Sequence, residues 1–335
     1  MDQVVTIWTE RRAGRIRLNR PKALNALDME MVALIRAGIA QMVADPDVQF
    51  ILVDAPLRGF CAGGDVRTLR NAGLNGDDAT IRAFFTAEYA MNLEIATCPK
   101  PFISLIDGVC MGGGIGLSVH GSHRIATENA MFAMPETAIA LFPDVGTSYL
   151  LPRLPGALGF YLGLTGARMA GADAVHAGFA THFTPAAALA ALGDALTRDG
   201  PAVIASFAAP LPRFSLSGER GLIDHAFSAA SVPEIVHILS KDGGTFAQAT
   251  LGTLRTHSPS SVYWSFEIMR RNARRSLADS LTAELALVTK IAMHPEFHEG
   301  VRAVLVDKDR RPQWRPASLE NVDQSAINAL FAGTP

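Results

Sequence analysis

The 335-residue sequence predicts an α/β fold of stacked ββα-like units followed by a mainly helical C-terminal region. Short apolar runs bounded by turn residues recur as far as Ala126, helical periods fall between them, and from about Gly156 onward the pattern turns helical. No low-complexity linker separates the two patterns. The expected organisation is an α/β core over residues 1–200 that carries the active site, with residues 201–335 as a helical region packed on it.

Taken in order, Val4 to Trp8, Arg15 to Leu18, Phe50 to Val53, Phe102 to Ile106 and Arg124 to Ala126 read as strands. Between the second and third, Asp28 supplies an N-cap, Met31, Ile35, Ile39 and Met42 share one helical face, and Pro46 ends the run. A second helix spans 78–96. Later helical stretches cover Ala172 to Ala177, Pro185 to Thr197, Val232 to Leu239, Ser260 to Arg275 and Asp279 to Met293, and an extended piece from Pro312 to Pro316 precedes a short last helix.

Composition narrows the function. With 49% hydrophobic and 19% charged residues the chain is an ordinary globular protein. A net charge of -2 gives no global positive field for nucleic acid or an anionic membrane, so an anionic ligand must be met locally. Cys61, Cys98 and Cys110 form an odd set without metal-ligand spacing, which predicts reduced thiols and no bound metal. Met1 to Val5 carries no basic segment followed by an apolar one, and no run reaches about 18 apolar residues, so a cytoplasmic protein without a targeting segment is expected.

Three segments could carry chemistry. Gly59 to Arg67 is a small-residue loop after a strand; it reads equally as a ligand-approach loop or as a tight strand-to-helix connection. Gly108 to Gly116 follows another strand and opens a helix, whose N-terminal N–H groups suit a developing oxyanion; the alternative is close helix-to-sheet packing. In Met134 to Gly146, Glu136 and Asp144 each follow a proline and bracket an apolar stretch. If both line an apolar pocket, burial would suit one to basic or nucleophilic work. The alternatives are a surface Glu136 and an N-capping Asp144.

Together these segments are more specific than any one of them. Two glycine-rich turns can donate two N–H groups to a thioester oxygen while an acid delivers or becomes the nucleophile. From Val5 to about Thr184 the sequence resembles the crotonase (enoyl-CoA hydratase/isomerase) superfamily, through Asn19 to Leu27, the Cys61 to Asp65 loop and the Met111 to Gly114 turn. It resembles the 3-hydroxyisobutyryl-CoA hydrolase branch through Phe84 to Tyr89, Phe132 to Gly146, Phe297 to Asp309 and Gln313 to Pro316.

The resemblance implies a crotonase-like spiral fold and hydrolysis of a short 3-hydroxyacyl-CoA in valine breakdown. By the same resemblance the amides of Gly64 and Gly113 form the oxyanion hole, Glu136 is the base or nucleophile, and Asp144 binds the 3-hydroxyl. Glu88 contacts substrate, and Lys22, Ala23, Ala62 and Asp65 border the CoA groove. CoA enters as part of the substrate, so no separate cofactor is implied, and a homo-oligomer is left open. Hydratases of the superfamily carry a second glutamate where this chain has Gly116, which counts against hydration. Thr147-Ser148 replaces a more glycine-rich pair common in the hydrolase branch. Two other readings are an enoyl-CoA hydratase or isomerase and a non-catalytic or RNA-binding member of the fold.

Overall fold

The computed structural model describes residues 3–55 and 59–333. Met1 and Asp2, part of the chain start read above, lie outside them. The chain packs as two compact units, each assembled from three separate stretches. Unit 1 comprises Met1–Gly64, Ala87–Ala133 and Arg168–Ser215, and unit 2 comprises Asp65–Thr86, Met134–Ala167 and Leu216–Pro335.

All ten described strands belong to unit 1. They are β1 (Val5–Glu10), β2 (Ala13–Leu18), β3 (Phe50–Asp54), β4 (Gly59–Cys61), β5 (Phe102–Ile106), β6 (Val109–Met111), β7 (His123–Ala126), β8 (Met131–Ala133), β9 (Met169–Ala170) and β10 (His182–Phe183). A six-stranded sheet runs β1-β2-β3-β5-β7-β10 and a four-stranded sheet runs β4-β6-β8-β9. Apart from the β1–β2 hairpin and the β8–β9 pair, every pairing is parallel.

Parallel strands covered on both faces read as nearly continuous apolar runs, and β3 (Phe-Ile-Leu-Val-Asp) and β5 (Phe-Ile-Ser-Leu-Ile) do so. Alternate residues Phe50, Leu52, Ile103, Leu105 and Ile125 form one core with Leu192 and Leu196, which lie on the helix Ala186–Asp199. The strands expected from the apolar runs are all present, within two residues at each end. The short strands β4, β6, β8, β9 and β10 were not foreseen, because two or three residues are too few to show a period.

Helix α1 (Met29–Ala44) starts where the sequence places it: the Asp28 carboxylate accepts from the Met31 N–H at 2.9 Å. Its buried face holds Met31, Ile35, Ile39 and Met42. Helix α2 (Val66–Leu74) lies in unit 2, whereas α3 (Asp78–Ala96) begins in unit 2 and ends in unit 1. In unit 1, α4 (Gly113–Val119) follows β6 directly.

Unit 2 is helical. At its centre runs the helix Pro259–Asn272, where Val262, Trp264, Phe266, Ile268 and Met269 are buried alongside Ser258, Ser261 and Ser265. A helix buried all round must satisfy its polar side chains internally: the Ser261 hydroxyl does so against the loop described below, and the Ser258 hydroxyl against Glu296. Among the described residues, no helix is long and apolar enough to cross a membrane.

Replacing Asp28 with Ala removes the cap of α1, and urea unfolding of that variant should show a loss of about 1 kcal/mol, the usual worth of such a cap.

Candidate active site

In unit 1 the site is built by a clamp. The turn Pro21–Ala23 is followed by Leu24 and Asn25 in left-handed conformations, φ 50° and 55°. The buried Asn25 side chain donates to the Gly59 and Phe60 carbonyls at 3.0 and 3.2 Å and accepts from the Arg20 N–H at 2.8 Å. The Ala62 N–H donates to Leu24 O at 3.0 Å, and the Leu27 N–H to Gly63 O at 2.7 Å. The Asn19 to Leu27 string therefore holds the 59–64 loop in place. Ala23 adjoins Ala62 through this turn, and Lys22 beside it is exposed.

The second glycine turn meets the first. A Cβ placed on Gly113 would lie 2.5 Å from Glu88 Oε1, 3.2 Å from the Gly64 nitrogen and 3.3 Å from the Gly63 carbonyl carbon. Gly64, Gly113 and Glu88 thus converge, and only a residue without a side chain fits between the other two. Glu88 reaches this point from α3 and is 2% exposed. Directly below, Gly114 packs on the Cys61 carbonyl so closely that it too must lack a Cβ.

Two thiols lie in the same region. Burial first, and the negative charge of Glu88 after it, push the Cys61 thiol up to about 12, although backbone hydrogen bonding at Gly63 and Leu27 opposes the rise. Burial likewise drives Cys110 upward. Neither is a thiolate nucleophile near neutral pH.

In unit 2 the chain leaves Pro135 through the 3-10 turn Glu136–Ile139, turns at Ala140 (φ 54°), and ties Leu141 N–H back to Glu136 O at 2.9 Å. The Thr137 hydroxyl pairs with His257 Nδ1 at 2.9 Å, the Ser258 N–H donates to Thr137 O at 3.1 Å, and the Ser261 hydroxyl donates to Leu141 O. Those contacts come from the start of the buried central helix and the residues leading into it. Glu136 is buried at 6% exposure, which removes the alternative of a surface glutamate.

Asp144 is buried at 4% exposure. Its backbone carbonyl accepts from the Thr147 N–H at 2.8 Å and the Thr147 hydroxyl at 2.7 Å, so the main chain opens α5 (Thr147–Leu150), and its N-cap is Gly146 (φ 79°). The preceding Val145 is held at φ 51°, a costly conformation for a β-branched residue. Asp65, expected at the substrate groove, serves as the N-cap of α2, accepting from the Thr68 N–H at 3.3 Å.

One acid of this region was not foreseen. Glu284 is fully buried in the helix Leu277–Ile291, accepting from the Gly146 N–H at 2.8 Å, the Ser148 N–H at 3.3 Å and the Ser148 hydroxyl. Burial, then the charge of Asp144, raise its carboxyl to about 8 against the pull of those hydrogen bonds. The signal was present in the sequence: Glu284 shares the helical face of Leu281, Leu287, Val288 and Ile291, where an acid is out of place.

Comparison with known proteins identifies the fold. A model of the enoyl-CoA hydratase/isomerase family matches residues 13–331. The chain belongs to this family. It is 44% identical to the mitochondrial 3-hydroxyisobutyryl-CoA hydrolase of Xenopus laevis, over 95% of this chain and 86% of that protein. With the human protein of the same name it shares 41% over 95% and 86%.

Two crystal structures are also similar. One, described as a carnitinyl-CoA dehydratase from Mycobacterium thermoresistibile, superposes with a TM-score of 0.94 at 36% identity, covering 98% of this chain and 96% of that one. The other, described as an enoyl-CoA hydratase from Rhodobacter sphaeroides 2.4.1, has a TM-score of 0.92 at 40% identity, with 98% and 97% covered. The mixed α/β crotonase fold expected from the sequence is the fold of this chain.

Two outcomes test the local chemistry. Thiol titration of the native protein should modify Cys98, which is half-buried, while Cys61 and Cys110 react only after unfolding. For Glu284, the folded protein retains a proton that the unfolded chain, with the ordinary carboxyl value of 4.5, releases. Its contribution to stability is therefore complete below pH 4.5 and is lost as pH rises toward 8. Denaturant midpoints of Glu284→Gln should vary less across that window than those of the parent.

Proposed function

We propose that this chain hydrolyses a short-chain 3-hydroxyacyl-CoA thioester, 3-hydroxyisobutyryl-CoA first among them, to free acid and CoA, as a step of valine breakdown. The observation that carries the proposal is near-full-length similarity, at 40–44% identity, to proteins named for that hydrolysis. It is supported by the two buried acids Glu136 and Asp144 and by the convergence of Gly64 with Gly113.

In this reading the N–H groups of Gly64 and Gly113 receive the thioester oxygen as it becomes an oxyanion, a contribution of about 3 to 4 kcal/mol per donor at such sites. Glu136 takes a proton from the attacking water and passes it to the sulfur as the C–S bond breaks. In the covalent alternative it attacks the carbonyl itself, and the C–S bond breaks to leave an anhydride while the departing sulfur takes a proton from water. A second water then cleaves the anhydride; by either route CoA leaves as the thiol. Asp144 binds the 3-hydroxyl, and Glu88, beside Gly113, contacts the acyl group. Lys22, Ala23, Ala62 and Asp65 are assigned to the CoA portion, which needs no separate cofactor. The free cysteines agree with a reducing compartment, for which the proposal keeps the cytoplasm.

A second reading, hydration of an enoyl-CoA, is favoured by two observations. Both similar crystal structures are described by dehydratase or hydratase names. In that reading the second carboxylate, missing at Gly116 of α4, comes from Glu88, which reaches the Gly113 turn from α3. Hydration needs two acids around one water.

The deciding measurement is thiol release from 3-hydroxyisobutyryl-CoA beside the enoyl absorbance of crotonyl-CoA. Free CoA from the first with the second unchanged is expected; the reverse makes the chain a hydratase. Glu136→Gln should lower kcat at least about 100-fold while a CoA thioester still binds, because the oxyanion donors remain. Full activity of that variant would remove Glu136 from the chemistry.

A further inference from the structure

The buried acid behind the Asp144 turn takes no part in the chemistry above, yet the Gly146 N–H and both donors of Ser148 point at it. Asn272 fixes the direction of the network. Its Oδ1 accepts from Arg275 Nη1 at 3.1 Å, and a guanidinium can only donate. Asn272 Nδ2 must then donate to the Ser148 hydroxyl oxygen, at 2.7 Å. That leaves the Ser148 proton free to donate to Glu284 Oε1, which also receives the Ser148 N–H, while Oε2 receives the Gly146 N–H at 2.8 Å. Glu284 therefore accepts three hydrogen bonds from Gly146 and Ser148, the first and third residues after the strained Val145.

We propose that Glu284 is a positioning residue that holds the Asp144–Ser148 turn in its left-handed shape and thereby sets the Asp144 carboxylate against the 3-hydroxyl of the substrate. The inference rests on the hydrolase reading above. Asp144 is followed at once by Val145 and Gly146, both in left-handed conformations at φ 51° and 79°. The Gly146 N–H freed by that bend finds its acceptor in Glu284. The fixed acceptor beneath Gly146 offsets part of the cost of the left-handed bend at Val145.

Ser148 is part of the device. Its hydroxyl is the link between Asn272 and Glu284. Thr147 bonds its hydroxyl to the Asp144 carbonyl at 2.7 Å. Both hydroxyls thus tie down the same turn.

A substitution of Glu284 by Gln keeps the volume but replaces an oxygen that can accept, with or without its proton, by an NH2 group that can only donate and must face either the Gly146 N–H or the Ser148 donors. The experiment compares kcat/KM for 3-hydroxyisobutyryl-CoA and for isobutyryl-CoA, which lacks the hydroxyl, in the parent, Glu284→Gln, Ser148→Ala and Asp144→Asn proteins and in the Glu284→Gln/Asp144→Asn pair. Glu284→Gln should lower the ratio of the two values at least about tenfold, as loss of a hydrogen bond to a charged group does, and Ser148→Ala should lower it by less. In the Asp144→Asn background, Glu284→Gln should change the ratio no further, because its effect passes through Asp144.

Equal loss on both substrates, or an unchanged ratio in folded Glu284→Gln, overturns the inference. Should Glu284→Gln fail to fold, Ser148→Ala decides: a lowered ratio supports the role and an unchanged one removes it. A parent enzyme that releases no thiol from either substrate overturns the hydrolase reading itself, and this inference with it.

Discussion

Keeping carboxylates out of water is the constraint around which the functional loops of this protein are built. Glu88, Glu136, Asp144, Glu284 and Glu296 are all buried. An ionised carboxylate moved into the interior costs several kcal/mol unless donors are aimed at it. For Glu284 the donors are the Gly146 and Ser148 N–H groups and the Ser148 hydroxyl; for Glu296 they are the Ser258 hydroxyl at 2.7 Å and the Arg315 N–H at 2.9 Å. Glu284 and Glu296 thus each fix a piece of irregular backbone that has no ladder of its own. Burial that is costly for charge is also what gives such groups unusual proton affinity, and the raised Glu284 is one result.

Irregular backbone is tolerated because rigid elements flank it. In unit 1 the parallel strands β4 and β6 end beside each other, and the loops that leave them bring Gly63 and Gly64 against Gly113. In unit 2 the helix Pro259–Asn272 presents the Ser261 hydroxyl to the Leu141 carbonyl, a donor that an apolar side chain would not supply, and the backbone N–H of its N-cap Ser258 to the Thr137 carbonyl. The glycines and serines are a small share of the chain, but they stand where the polypeptide approaches itself most closely.

Much of this was legible in advance. The strands β3 and β5 announce themselves as apolar runs with turn residues at their ends, and α1 by an N-capping Asp28 and a 3.6-residue stripe. Gly113 and Glu136 stood out because small residues and a proline-flanked acid are unusual in apolar surroundings. Glu284 was harder to see. Its place on the apolar face of its helix was readable from the sequence, but the backbone that it would meet was not, because that depends on how the helix packs.

The sequence by itself determined the periods, caps and close-packing residues, since those depend on neighbours a few positions away along the chain: the fold class, the two glycine turns and the two acids of the 134–146 segment followed from them. Only the tertiary structure decided which stretches join into units, as the division into three interleaved pieces each shows. It also decided that Glu88 would meet Gly113 and that Glu284, 138 residues from Gly146, would accept its N–H. Such pairings arise from packing between distant segments, and burial, the quantity that sets the chemistry of an acid, is a property of that packing and not of local sequence.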